Sequence, residues 1–530
     1  MVEAVRQMQR AVITGKMQHR KVVYATFSAK MADEAKRKFP SGVTVSTVHA
    51  WCGRLISEHL PHVKRFGKGL PSWRHFARAA IGYDPKARGV TKEEKADIHQ
   101  RKLIAKCIET IGDMACNMSW FDGSPQTYTE VASYANKLEY AQDVIEASWS
   151  LWEDAYLRYY DAVMAGTAIA DFNISIALIA QNEIVERNIV LILDEAQDLN
   201  PQMLMVVHNH LAAGCQVVMV GEDLQSIFAF RGGIPGLMEK YGNIFRMHIM
   251  ELSVTHRYGQ AVCDFLSHIK PTTSAAHHET EIVTPEDVEQ GYNHLINQTG
   301  SRVVIARTNA GLIGAFITLR RMGIPIAMQT DRAAEKLMTF WTSVVKAAQG
   351  DSDMLPPMVD IVTVLRGRLS SKSNATKEMA QAIIDLLADG QVTISQVDTV
   401  LSEMYQAESG ATCPSCLHRM YAGKFGTKVT CINKSCTESG KYVEMTRKPL
   451  RGDEIILATV HGSKGLEYDH VMVIGDFPSL MELTDKTDRI QEMNMFWVAT
   501  SRCRYTLIIA CRYVRLSTAE NIKRYIETGK

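Results

Sequence analysis

Apolar residues recur along the chain with two different periods. Val22 to Phe27, Val43 to Thr47, Ile189 to Leu193 and Gln216 to Val220 have strand character, and helix-patterned stretches lie between them. This alternation predicts an open, largely parallel α/β sheet. The opening residues set Val2, Val5, Met8 and Val12 on one helical face. Residues 56–165 are helix-patterned with little strand signal, which predicts a helical insertion. A second strand set, Ile249 to Leu252, Val303 to Ala306, Ile455 to Thr459, Val471 to Ile474 and Leu507 to Ala510, predicts a second sheet. It is interrupted by residues 332–450, helical first and then cysteine-bearing. No short-period repeat or low-complexity tract appears.

Composition narrows the class. Of 530 residues, 46% are hydrophobic and 22% charged, which excludes disordered and fibrous chains. Lys and Arg number 59 against 58 Asp and Glu, so a nucleic-acid surface has to be a local patch rather than a global charge. The start lacks a basic segment followed by an apolar core, and the longest apolar runs are far shorter than a bilayer span. Seven of eleven cysteines are scattered, which implies a reducing compartment. These features predict a soluble, cytoplasmic protein with no membrane partner.

Two adjacent acids, Asp194 and Glu195, follow the apolar run Leu191-Ile192-Leu193. Ligands of open α/β sheets bind at that edge. The first acid suits Mg²⁺ beside a nucleotide phosphate, and the second suits a base that orients water. A solvated acidic turn is the alternative for so short a motif. The next strand decides between them, because it runs into Gly221-Glu222-Asp223-Leu224-Gln225-Ser226-Ile227-Phe228-Ala229-Phe230-Arg231-Gly232.

Together, Asp194-Glu195-Ala196-Gln197-Asp198 and this run resemble the UvrD/Rep-type superfamily 1 DNA helicases. Further elements match in the family's order. Ala25-Thr26-Phe27-Ser28-Ala29-Lys30 is similar to a motif that contacts single-stranded DNA, and Ser46-Thr47-Val48-His49-Ala50-Trp51 to the Thr-x-His element after it. Leu252-Ser253-Val254-Thr255-His256-Arg257 resembles the family's Leu-x-x-Asn-Tyr-Arg. Thr459-Val460-His461-Gly462-Ser463-Lys464-Gly465-Leu466-Glu467 and Trp497-Val498-Ala499-Thr500-Ser501-Arg502 resemble its two closing motifs.

The resemblance implies two RecA-like parallel-sheet cores, each with a mainly helical insertion. The first core takes residues 1–55 and 166–248, N-terminally incomplete, around an insertion at 56–165. The second takes 249–331 and 452–530 around an accessory insertion at 332–451. It also implies an ATP-driven, 3′ to 5′ motor on single-stranded DNA and duplex junctions, serving replication or repair proteins. Asp194 then holds Mg²⁺, Glu195 polarises the attacking water, and Gln225 senses the γ-phosphate. Arg257 and Arg502 reach across as arginine fingers when the cores close. Gly465 and Glu467 bind the nucleotide, Glu467 at its sugar. Phe27, Phe228 and Phe230 are stacking candidates beside Arg231, although a Phe in a strand is ordinarily core. Thr47, His49, Thr459 and His461 complete the DNA set, the two histidines more as hydrogen-bonded linkers than as catalysts.

Cys413-Pro414-Ser415-Cys416, fourteen residues, then Cys431 and Cys436 give two cysteine pairs. Four thiolates so spaced suit structural Zn²⁺ with no open position. The pattern resembles a zinc ribbon at 411–440. From Ala411 to Arg451, eight Lys or Arg face two Glu, a basic patch suited to phosphate contact.

The family's P-loop, Gly-x-x-x-x-Gly-Lys-[Ser/Thr], is absent. Thr14-Gly15-Lys16-Met17 lacks its first glycine and its hydroxyl. The helix from Val2 to about Arg10 is similar to the one after the P-loop, so the chain reads as starting inside it. The P-loop is then encoded upstream, carried by another chain, or lost. Retention of both acids, Gln225 and the two arginines favours the first two. The function classes are an ATP-dependent translocase or helicase and, alternatively, a non-hydrolysing DNA-binding remnant.

Overall fold

The computed structural model describes residues 6–7, 20–27, 29–67, 69–89, 91–118, 140–227, 236–267, 274–275, 279–329, 333–349, 356–369, 374–388, 393–409, 420–422, 428–431, 442–444, 454–475, 477 and 486–510. The chain divides into two units, Met1–Ile249 and Met250–Lys530. Each is built on its own parallel sheet. The α/β class with two such sheets is as the strand pattern implies.

In the first unit, β1 (Lys21–Thr26) precedes α1 (Ala29–Lys38), β2 (Val43–Thr47) and α2 (Val48–His59). Four helices follow: α3 (Trp73–Ala80), α4 (Lys92–Met118), α5 (Gln142–Met164) and α6 (Phe172–Gln181). Then come β3 (Ile189–Asp194), α7 (Pro201–Ala212), β4 (Gln216–Val220) and α8 (Leu237–Ile244). The sheet order is β2-β1-β3-β4 and every pairing is parallel. All four carboxyl ends therefore lie on one edge.

Side chains alternate between the two faces of a strand. Val23, Ala25, Leu191 and Leu193 enter a large core with Trp51, Leu55, Ile108, Ile145, Tyr159 and Ile174. The insertion helices thus share the core of the sheet that they interrupt. On the opposite face, Val22, Tyr24, Val190 and Ile192 pack with Ala35 beneath α1. β3 is covered on both faces, which is why its sequence is apolar without a break.

In the second unit, β5 (Val254–Thr255), α9 (Gln260–Ser267), β6 (Ser274–Ala275), β7 (Glu281–Val283) and α10 (Val288–Ile296) come first. β8 (Arg302–Ala306), α11 (Gly311–Arg321) and β9 (Ile326–Gln329) follow. Next are α12 (Ala333–Gln349), α13 (Met358–Leu369), α14 (Asn374–Ala388) and α15 (Ile394–Ser409), then β10 (Met420–Ala422), β11 (Lys428–Cys431) and β12 (Tyr442–Glu444). The chain returns through β13 (Ile455–Thr459), α16 (Val460–Ser463), β14 (Tyr468–Ile474), α17 (Lys486–Thr500) and β15 (Cys503–Ala510). The main sheet runs β7-β15-β14-β8-β13-β9, all parallel. Its core joins Val304, Leu457 and Met472 to Trp341, Leu365, Ile383 and Leu401 of the accessory helices.

The strand predicted at Ile249 to Leu252 is not formed. These residues pair with nothing in either sheet, and Met250 and Leu252 are 79% and 89% exposed. A four-residue apolar run carries no period of its own, so hydrophobicity alone cannot tell a strand from a connection. β7 and β9 occupy the sheet edges instead. The predicted opening helix lies outside the described residues except for Arg6 and Gln7, which are helical. No helix among the described residues is long and apolar enough to cross a membrane.

Candidate nucleotide site and nucleic-acid surface

Asp194 is the last residue of β3 and Glu195 the first beyond it. One Asp194 carboxylate oxygen, Oδ1, accepts from the Glu195 backbone N–H at 3.1 Å. The other, Oδ2, accepts from the Tyr24 hydroxyl of β1. Burial pushes the Asp194 carboxyl above its ordinary range, and the nearby Glu195 charge adds to this. Burial, then the bond to Asp194, drives the Tyr24 phenol far above its own.

Glu195 sits in the left-handed region at φ +59°. A non-glycine residue there costs on the order of 1–3 kcal/mol and persists only where its surroundings hold it. Gln197 supplies the hold. Its Nε2 donates to Glu195 Oε2 at 2.6 Å, and its Oε1 accepts from the Glu222 N–H beyond β4 at 3.1 Å. One buried amide therefore ties the acidic turn of one strand to the loop of the next. Gly221 makes the approach possible, since a Cβ there would come within 2.3 Å of Gln197 Oε1. Gln225 ends the single 3₁₀ turn Asp223–Gln225 that follows.

On the same sheet edge, Phe27 is half-buried against the core. Thr47 caps α2 by accepting from the Ala50 N–H at 3.2 Å. The His49 ring meets the Phe172 ring edge-on at 5.0 Å, and Phe172 is 51% exposed. Phe172 was missed in the sequence. Its signal was an aromatic residue directly after the capping Asp171, opening a helix with no other aromatic residue. Phe228, Phe230 and Arg231 lie outside the described residues.

In the second unit, Arg257 Nε donates to Glu467 Oε1 at 3.1 Å and its Nη1 to the Ser501 carbonyl at 3.3 Å. Arg504 holds the other Glu467 oxygen at 2.8 Å. Burial alone would raise Glu467, but the bonds from Arg504 and Arg257 outweigh it and keep the carboxyl below its usual range. Arg502 is fully buried, donating to the Val498 carbonyl and the Ser501 hydroxyl at 2.8 and 2.9 Å. Gly465 has φ +76°, a turn that suits glycine. Thr459 caps α16 by accepting from the Gly462 N–H at 3.2 Å, which repeats the role of Thr47. Because the strands are parallel, Thr459 and His461 stand at the carboxyl edge of the sheet. Glu467 and Arg502, just ahead of β14 and β15, stand at its amino edge.

Residues 5–246 match the model of the UvrD/REP helicase N-terminal domain, and residues 427–513 that of the UvrD-like helicase C-terminal domain. The chain belongs to the UvrD-type superfamily 1 helicases. It is also similar to F-box DNA helicase protein 1 of Schizosaccharomyces pombe, at 22% identity over 528 residues. The match takes in 94% of this chain and 53% of that protein, so the chain spans about half of its relative's length.

For a UvrD-type helicase the metal question is whether Asp194 fits Mg²⁺. Mg²⁺ takes one or two carboxylates together with phosphates and water, so it does not require a cage of protein ligands. Asp194 offers hard oxygens at a strand end and keeps lone pairs beyond its two fixed bonds. The residues fit. Among the described residues no cluster of three or more His, Cys, Asp or Glu could hold a metal. Of the expected zinc ligands, Cys413, Cys416 and Cys436 lie outside the described residues. Cys431 ends β11 in the antiparallel sheet β10-β11-β12.

Proposed function

We propose that this UvrD-type chain is an ATP-dependent translocase or helicase acting on single-stranded DNA and duplex junctions, moving 3′ to 5′. The observation that carries the reading is the strained Glu195, held by Gln197 beside Asp194 at the carboxyl edge of the sheet. Glu195 takes the proton from the attacking water, and Gln197 fixes the carboxylate that does so. Asp194 would hold Mg²⁺, which neutralises developing phosphate charge when bound. Gln225 senses the γ-phosphate, Arg257 contacts phosphate, and Gly465 and Glu467 bind the nucleotide; Arg502, buried on the Val498 carbonyl and the Ser501 hydroxyl, reaches phosphate only when those bonds are released.

Stacking on bases falls to Phe27, Phe228 and Phe230, with Arg231 on the backbone; the exposed Phe172 against His49 joins them. Thr47, Thr459 and His461 complete the DNA path. Cys413, Cys416, Cys431 and Cys436 bind a structural Zn²⁺, whose loss in a Cys413→Ser/Cys416→Ser variant is read as zinc content. The chain works in the cytoplasm with replication or repair proteins.

DNA-stimulated ATPase of the 530-residue chain is the test. Turnover abolished by Glu195→Gln, with DNA binding retained, is expected. Absence of turnover in the unaltered chain overturns the proposal.

A further inference from the structure

Tyr24 lies level with Ile192 in the parallel pairing of β1 and β3, two residues short of Asp194. Two residues of strand span about 6.6 Å. A tyrosine side chain covers that distance along the sheet face, and its hydroxyl ends on Asp194 Oδ2. The ring cannot swing away. Tyr24 is 3% exposed, its ring lies 4.8 Å from that of Phe39, and Val22 and Ile192 pack beside it. The hydroxyl is thus delivered to one carboxylate oxygen by a fixed ring, while the Glu195 N–H holds the other.

We propose that Tyr24 is a positioning residue for a divalent cation: its hydroxyl fixes the Asp194 carboxylate so that the remaining lone pairs face a hard metal ion. The proposal rests on the nucleotide-site reading of Asp194. A ligating carboxylate that is itself hydrogen-bonded is already oriented, and removing such an outer partner typically costs about 10–100-fold in metal affinity or activity. Tyr24 touches the ligand and not the reacting atoms, so it acts through Asp194 alone. Phenylalanine would keep the packing and lose the donor.

The experiment is a titration of the full chain with Mn²⁺ alone, followed by electron paramagnetic resonance, on the unaltered protein, Tyr24→Phe and Asp194→Asn. Near-UV circular dichroism of each confirms the fold. Asp194→Asn should remove one Mn²⁺ site, and Tyr24→Phe should weaken that site about 10–100-fold. With Mg²⁺ and ATP, Tyr24→Phe should shift the Mg²⁺ activation curve in the same direction and leave DNA affinity unchanged. Unchanged or tighter Mn²⁺ binding by Tyr24→Phe, with the site lost in Asp194→Asn, overturns the role of Tyr24 and leaves the site reading standing. If no Mn²⁺ site depends on Asp194, the site reading itself fails and Tyr24 falls with it.

Discussion

The Gln197 amide donates to the Glu195 carboxylate at 2.6 Å while its oxygen accepts from the Glu222 N–H, so this carboxylate is set by a neighbour two residues away. A hydrogen bond to a charged group contributes about 1.5–3 kcal/mol. Gln197→Leu should therefore lower kcat for ATP about 10–100-fold with KM little changed, since the loss falls on orientation and not on binding. Gly221→Ala should do the same, because its Cβ displaces the same amide oxygen. Steady-state ATPase with saturating DNA measures both.

Thr47 and Thr459 each cap the helix that follows. Replacing either by alanine should cost about 1 kcal/mol of stability, and serine should restore it. Chemical denaturation measures this, and DNA affinity of the serine variants separates capping from any contact made by the threonine methyl.

Phe172 is half exposed, so its truncation should barely move the melting temperature. DNA binding should weaken by about 1–3 kcal/mol, the worth of one stacked base. Fluorescence anisotropy with a labelled single strand, at fixed salt, gives the number. Tryptophan at this position should retain most of the affinity.

Glu467 is shared by Arg257 and Arg504 in partly exposed ion pairs, which are worth at most about 1 kcal/mol each after screening. Glu467→Gln should leave thermal stability almost unchanged yet raise the KM for ATP, since Arg257 then loses its charged anchor. Melting curves beside ATP titrations separate the two effects.

Asp113 is pushed up to about 6 by burial and by Asp171, with the Asn173 hydrogen bond opposing. Its folded value is above its unfolded one, so the charged form is what folding disfavours. The penalty is absent below about pH 4, grows as pH rises through 6, and is fully present at neutral pH. Asp113→Asn should raise the melting temperature of this unit above pH 7 by a few degrees, about 2–4 °C per kcal/mol relieved, and leave it unchanged near pH 4. Calorimetry at the two pH values shows the difference.

Strands that are apolar on both faces and end in chemistry were readable from the chain alone. β3 is the example, because cover on both sides demands an unbroken apolar run and the acids then mark its carboxyl end. Ile249 to Leu252 look the same in hydropathy and form no strand, since pairing depends on a partner that the segment does not name. The roles of Tyr24 and Gln197 were hidden for a different reason. Each depends on register between neighbouring strands, Tyr24 with Ile192 and Leu193 with Met219, and register is a property of the sheet. Arg502 was legible as a motif residue, but its burial was not, because the Val498 carbonyl that receives it is placed by helix geometry.

The eight residues between Thr459 and Tyr468 run from one edge of the second sheet to the other, between strands that share β8 as a neighbour. Their span is set by the height of a five-residue strand, so the segment works as a strut of fixed length. A single inserted or deleted residue would break the threonine cap at one end or pull the glutamate off its arginines at the other. Length is therefore a second constraint on this stretch, beside the glycine turn at Gly465 and the carboxylate at Glu467.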